Sequence, residues 1–190
     1  MSELTPPQPS EGEPAVRTSG LHAMVQHYLP DLIYGANDGI VTTLAVMSGV
    51  TGAALSNQVV LILGFASLFA DGFSMGSSEY LSSRSEPEAE DRPPPREAAK
   101  HGGATFAGFI TAGIVPLLAY LLPWFEGQPF VAAVSIAMVT LFGIGASRAF
   151  FTDRGWLQAG LEMLLIGALA TVVAYGIGAL GSSLTGGRRP

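Results

Sequence analysis

The sequence predicts an all-α integral membrane protein with five transmembrane helices per protomer. Two observations indicate this fold class. Only 13% of the 190 residues are charged and 48% are hydrophobic, whereas a soluble domain carries about 25% charged residues. The apolar residues also concentrate in five segments, each near the roughly 20 residues that a helix needs to cross the hydrocarbon core of a bilayer.

The chain begins with a polar region that precedes the apolar segments. Residues 1–20 are rich in proline, glutamate and serine and lack a basic segment followed by an apolar one, so they predict a disordered tail and not a signal peptide. Residues 21–30 predict a short amphipathic helix that lies at the membrane interface. Its histidines, His22 and His27, are interpreted as interfacial or solvated side chains.

The transmembrane domain is predicted over residues 31–181, followed by a C-terminal tail over 182–190. Its spans are residues 32–55, 59–81, 104–122, 130–150 and 156–180. The first two are joined by a tight turn and therefore form an antiparallel hairpin. The long polar connection before the third span contains Pro93, Pro94 and Pro95, which prevent a continuous helix there. Trp124 and Trp156 are placed as interfacial anchors.

The distribution of basic residues predicts the orientation. With a cytoplasmic N-terminus, the cytoplasmic side holds Arg17, Arg84, Arg92, Arg96, Lys100, Arg148 and Arg154. The opposite side holds only Arg188 and Arg189. Because positive residues favour the cytoplasmic face, the N-terminus is predicted inside and the C-terminus outside.

Composition also excludes several classes of function. The net charge is −6 and there is no basic run, so nucleic acid is not an expected partner. Cysteine is absent, which excludes disulfides, thiolate metal sites and cysteine nucleophiles. A metal ion would have to be held by oxygen, imidazole or thioether groups.

Four side chains in the first two spans are candidate metal ligands. Asp71, Met75 and Glu79 follow one another in steps of four, which places them on one helix face. A carboxylate near the bilayer centre costs roughly 3 kcal/mol, so such a face needs a partner. Carboxylates with a thioether suit a divalent transition metal. The alternative is a helix packed against polar neighbours in a bundle.

The depth of Asp38 in the first span strengthens the metal interpretation. At about 1.5 Å per residue, the antiparallel hairpin places Asp38 level with the gap between Asp71 and Met75. Glu79 falls near the cytoplasmic mouth. Because protons on such carboxylates would leave as a cation enters, the arrangement predicts exchange of metal for protons.

A strip of small residues on the first span predicts a homodimer. The strip, Thr42, Ala45, Gly49 and Gly52, is suited to close packing between subunits. A two-fold axis would double the ligands that one protomer offers.

Two segments resemble the vacuolar iron transporter family, which includes nodulin-like members. They are YGANDGIVTTLAVMSGVTGA in the first span and ADGFSMGSSEYLSSRSE at the end of the second, and the resemblance covers about residues 34–181. It implies a five-helix protomer in a homodimer, with a pathway between the subunits lined by the first two helices. It further implies that Fe²⁺, and often Mn²⁺, leaves the cytoplasm in exchange for protons, as cargo and not as a cofactor. Asp38 matches the pathway aspartate and Met75 the pathway methionine.

The chain departs from this family at two points. A glutamate that some members carry aligns with Ser67, and Asp71, one turn further on, supplies the charge. The connection between the second and third spans is also too short for the cytoplasmic metal-binding domain of the longer members. Its acidic residues either attract cations or form a solvated loop: Glu86, Glu88, Glu90, Asp91 and Glu97.

Two other functions compete with transport by exchange. One is a divalent cation channel. Uphill metal flux driven by protons would indicate an exchanger and not a channel. The other is an intramembrane aspartyl protease built on Asp38 and Asp71, although the GxGD context of that class is missing. The expectation is a protein that is not an enzyme, located in a plasma membrane and compatible with a bacterial one.

Overall fold

A computed structural model describes residues 20–85, 93–125, 127–150 and 155–186, with side chains from residue 27 onward apart from Phe150. Every regular element in these ranges is helical, which confirms the all-α fold. The α-helices are α1 (Gly20–Gly52), α2 (Asn57–Ser85), α3 (Pro95–Leu121), α4 (Pro129–Ser147) and α5 (Trp156–Leu184). Single 3₁₀ turns occupy Pro123–Phe125 and Arg148–Phe150.

The first helix is longer than predicted. The sequence predicted a separate helix over residues 21–30, but α1 runs without a break from Gly20 through Pro30 to Gly52. A proline inside a helix removes one backbone hydrogen bond, and here that loss does not end the helix. The predicted interfacial segment is therefore the first part of α1. Residues 1–19 of the predicted tail lie outside the described residues.

A tight turn separates α1 from α2. The backbone N–H of Leu55 donates to the carbonyl of Val50 at 3.2 Å, and that of Ala54 donates to Thr51 at 2.9 Å. This pair of bonds is a Schellman motif, in which the residue after the helix end takes a left-handed conformation. Ala54 occupies that position with φ 57°, so the turn begins earlier than the predicted end of the first span.

The charged connection between α2 and α3 is shorter than predicted, because both helices extend into it. α3 begins at Pro95, where a missing N–H costs little in the first turn of a helix. Arg84 Nη1 donates to the carbonyl of Pro93 at 3.2 Å and so ties the two ends of the connection together. Most of the acidic loop lies outside the described residues: Glu86, Glu88, Glu90 and Asp91.

The helix contacts place α1 at the centre of the bundle and give the relative directions of α1, α2 and α3. α1 packs against α2, α3, α4 and α5. Along α1 and α3 the contacts advance together, from Gly35 on Thr105 to Gly39 on Phe109, so these helices are parallel. Along α2 they run in reverse, from Gly64 on Leu117 to Gly76 on Gly102. α2 is therefore antiparallel to α1 and α3.

Four of the helices described are long and apolar enough to cross a membrane: α2, α3, α4 and α5. This confirms a multi-pass membrane protein. α1 does not meet the same criterion, because Asn37, Asp38 and several hydroxyl side chains lower its hydropathy. The other helices surround it instead, and its buried residues, such as Ile40, Leu44 and Met47, form the core with Phe109 of α3.

Candidate metal pathway on the α1–α2 face

Asp38 lies on α1 beside the line of contact with α3. A Cβ atom on Gly39 would collide with the backbone carbonyl of Phe109, so only glycine allows this approach. Asp38, one residue earlier, is exposed on the protomer, as is Tyr34 one turn before it. The close contact therefore fixes the position of Asp38 without burying its carboxylate.

Asp71 lies on α2 in the corresponding position. Gly72 faces α3, where a Cβ atom would stand 3.1 Å from Cδ1 of Phe109. Asp71, one residue earlier, is exposed. Its Oδ2 accepts a hydrogen bond of 2.5 Å from Ser67 Oγ. Ser67 thus holds the carboxylate one turn further along the helix.

The glycines that follow the two aspartates both contact the same residue of α3. Gly39 contacts the backbone of Phe109 and Gly72 contacts its ring, and Phe109 is fully buried. Asp38 and Asp71 therefore lie at about one level of the bundle. A divalent cation bound between two carboxylates at one level would offset their mutual repulsion.

Met75 and Glu79 continue along α2 away from this level. Met75 is half-buried and packs partly against the core. Glu79 is also half-buried, and its backbone carbonyl accepts a hydrogen bond of 2.9 Å from Ser83 Oγ. At about 1.5 Å per residue, Glu79 stands about 12 Å from Asp71, at the end of the bundle where α3 begins. The residues described contain no group of three or more His, Asp or Glu side chains arranged to hold one metal ion.

The predicted strip of small residues on α1 is divided between two surfaces of the helix. A Cβ atom on Gly52 would collide with the carbonyl of Tyr175, and one on Gly178 with the carbonyl of Gly49. The second half of the strip is therefore packed against α5 of the same protomer. Only Thr42 and Ala45 remain on the side that carries Asp38.

Sequence reasoning missed the part of α3 that positions the site. His101, Thr105, Phe109 and Gly113 recur every four residues, and they meet Asp31, Gly35, Gly39 and Thr43 of α1 in the same order. The four-residue spacing on α3 is a signal of a packing face. The sequence gives no indication that its partner is α1.

Comparison with known proteins identifies relatives over most of the chain. The profile of the VIT family matches residues 29–100 and 88–179. A protein of Oryza sativa named vacuolar iron transporter homolog 1 is 30% identical, over 79% of this chain and 72% of the relative. Vacuolar iron transporter 1 of Arabidopsis thaliana is 24% identical, over 86% of this chain and 92% of the relative. Vacuolar iron transporter 1 of Eucalyptus grandis is 23% identical, over 82% and 87%.

The alignments also bear on the short α2–α3 connection. The alignment with the Arabidopsis protein extends over 229 positions, more than the 190 residues of this chain. The relative therefore carries residues that this chain lacks. The two family matches overlap at residues 88–100, which run from the α2–α3 connection into the first turns of α3.

Proposed function

The chain belongs to the VIT family, and on that basis we propose that it is a membrane transporter that moves ferrous iron out of the cytoplasm. The relatives described above are named as iron transporters, which agrees with the expectation that the chain is not an enzyme. Iron would be the cargo, held transiently by Asp38, Asp71, Met75 and Glu79. Mn²⁺ is a second cargo of the same charge and similar ligand preference.

The observation that carries this proposal is the pair of exposed aspartates at one level of the bundle. A charged side chain facing lipid near the bilayer centre costs roughly 3 kcal/mol on insertion scales, and such residues mark ion pathways. Asp38 and Asp71 both stand on the α1–α2 flank, with the Met75 side chain one turn away on α2. Two carboxylates and a thioether are a ligand set for a divalent transition metal.

The same observation supports a homodimer. One protomer offers two carboxylates at this level, and they stand on its surface. A second copy related by a two-fold axis would cover the exposed aspartates and bring two more to the same place. The transported ion would then pass between the subunits, with α1 of each copy as a fifth membrane-spanning helix.

We infer the direction of transport, and its coupling to protons, from the basic residues outside the spans and the carboxylates within them. The excess of basic residues near the start of α3 and the end of α4 supports a cytoplasmic N-terminus. Glu79 would then face the cytoplasm and the ion would enter there. Protons would return on the carboxylates that the ion vacates, which makes the transporter an exchanger. The relatives' names refer to vacuoles and lend no support to a bacterial plasma membrane.

Metal flux in proteoliposomes tests the proposal. The purified protein is reconstituted with a metal-sensitive dye inside the vesicles, and Fe²⁺ uptake is recorded with and without a pH gradient. Asp38→Ala should abolish uptake, because the remaining groups cannot offset the desolvation of a doubly charged ion. Ser135→Ala, which removes an exposed hydroxyl from α4, is the control and should retain the wild-type rate.

The outcomes distinguish the candidate functions. Uptake against a metal gradient, driven by a pH gradient, supports the exchanger. Flux that only follows the metal gradient would instead indicate a divalent cation channel. Wild-type uptake by a folded Asp38→Ala protein would refute the pathway along α1 and α2.

A further inference from the structure

A cluster of two imidazoles and two carboxylates lies where α1 meets the first turns of α3. His101 Nδ1 and Asp31 Oδ2 are 2.6 Å apart, with both side chains largely buried. His27 Nε2 stands 3.7 Å from Glu97 Oε1, and both of these side chains are about half exposed. None of these residues has a role in the pathway described above.

The hydrogen bond between His101 and Asp31 leaves Nε2 of His101 available to bind a metal. When Nδ1–H of the neutral imidazole donates to Asp31, Nε2 carries the free lone pair. A histidine that binds a metal through one nitrogen commonly donates the other N–H to a carboxylate, which fixes the tautomer and the orientation of the ring. Asp31 stands in the position of that carboxylate.

The second imidazole lies at a suitable distance. The ring centroids of His27 and His101 are 5.1 Å apart. Two imidazoles on one tetrahedral ion, with metal–nitrogen bonds of about 2 Å, have centroids roughly 5 Å apart. Tyr28 packs edge-on against both rings, at 4.8 Å and 4.9 Å, and so limits their movement.

The contact of His27 with Glu97 leaves room for an ion. At 3.7 Å it is longer than a hydrogen bond, so a metal would replace a weak interaction. The carboxylates do not already converge with the rings on one point, and water or Glu97 would complete the coordination. A site with two protein ligands binds weakly and releases quickly, which suits capture before transport.

The cluster also lies on the route to the pathway. Asp31 and Asp38 are two helical turns apart, about 10 Å, on nearly the same face of α1. Gly102, next to His101, contacts Tyr80, next to Glu79. The cluster and the proposed entrance of the pathway therefore share one end of the bundle.

We propose that His27 and His101 bind a divalent transition-metal ion at the mouth of the pathway, with Asp31 orienting His101. The capture role rests on the proposed function, whereas the binding chemistry does not. The chain contains three histidines, so imidazole ligation can be assigned by removing them one at a time.

Equilibrium binding of Co²⁺ tests the proposal without transport. The full chain is purified in nanodiscs with an affinity tag free of histidine, in an Asp38→Asn, Asp71→Asn background that removes both pathway aspartates. Visible absorption measures Co²⁺ affinity, and X-ray absorption at the cobalt edge detects imidazole ligands. His22→Gln is the matched control.

We expect His27→Gln or His101→Gln to weaken Co²⁺ binding at least tenfold and to reduce the imidazole signal, while His22→Gln changes affinity less than twofold. Asp31→Asn should weaken binding about 10-fold to 100-fold with both imidazoles still present, as expected for a carboxylate that orients a ligand. Wild-type affinity and imidazole signal in the His27→Gln, His101→Gln double variant would overturn the proposal. Because both pathway aspartates are absent throughout, that result would leave the proposed transport function standing.

Discussion

We predict that the contact between Gly39 and Phe109 holds Asp38 in place. Gly39→Ala adds one methyl group where the nearest atom is the backbone carbonyl of Phe109. A backbone atom cannot rotate away as a side chain can, so α1 must move from α3. The displacement needed to restore van der Waals contact is about 1 Å.

Two opposing effects set the size of the change in stability. Alanine is favoured over glycine inside a helix by about 1 kcal/mol, whereas overpacking costs about 1–3 kcal/mol. We expect Gly39→Ala to lower the free energy of unfolding by up to about 2 kcal/mol. For a chain of this size that lowers the Tm by up to about 8 °C.

Gly49→Ala is the matched control on the same helix. Its added Cβ would have a nearest neighbour at 3.6 Å, the carbonyl oxygen of Ala174, which is an ordinary contact. We therefore expect no loss of stability and a gain of up to about 1 kcal/mol from helix propensity. The paired comparison separates the effect of the collision from the effect of the substitution itself.

Thermal unfolding in detergent and initial Fe²⁺ uptake in proteoliposomes measure both consequences. Because a misplacement of about 1 Å can cost about 100-fold in a positioned site, uptake by Gly39→Ala should fall at least tenfold while Gly49→Ala keeps the wild-type rate. If Gly39→Ala retained both the wild-type Tm and the wild-type uptake rate, the contact with Phe109 would not position Asp38.

Three further predictions concern the cargo, the first turn and the orientation. Met75→Ala should slow uptake of Fe²⁺ or Co²⁺ more than uptake of Mn²⁺, which depends less on soft ligands; equal losses in a metal series would argue against thioether ligation. Ala54→Gly should raise the Tm by about 2–4 °C, because glycine takes the left-handed conformation at no steric cost, and an unchanged Tm would show that Ala54 carries no strain. Cysteines introduced at the exposed Ser56 and Ser85 should report opposite sides of the membrane, so an impermeant thiol reagent on intact cells should label only the first. Labelling of the second alone would reverse the proposed orientation.

The number and order of the helices could be predicted from the sequence because hydropathy is a local property. The helix ends were less predictable. α3 begins at Pro95 within a charged segment, since a helix can extend beyond the membrane where hydropathy carries no signal. The turn at Ala54 also depends on a backbone conformation that alanine seldom adopts.

The candidate site was also only partly predictable from the sequence. The spacing of Asp71, Met75 and Glu79 indicated a shared face from the sequence alone. The residues that hold this face in place could not be identified, because Phe109 acts through a contact between distant parts of the chain. His101 and Asp31 are 70 residues apart, and their pairing depends on α3 lying parallel to α1.

The division of the small strip on α1 narrows where a second copy can bind. Gly49 and Gly52 are already packed against α5, so we expect a subunit contact that includes Asp38 to extend from Thr42 toward Tyr34 and across to α2. On α2 the exposed polar side chains near Asp71 include Ser74 and Ser78. Lipid would surround these hydroxyls and both carboxylates with apolar chains, whereas a second copy of the same face would add polar groups. The groups that are costly at the surface of one protomer would then become the ligands shared by two.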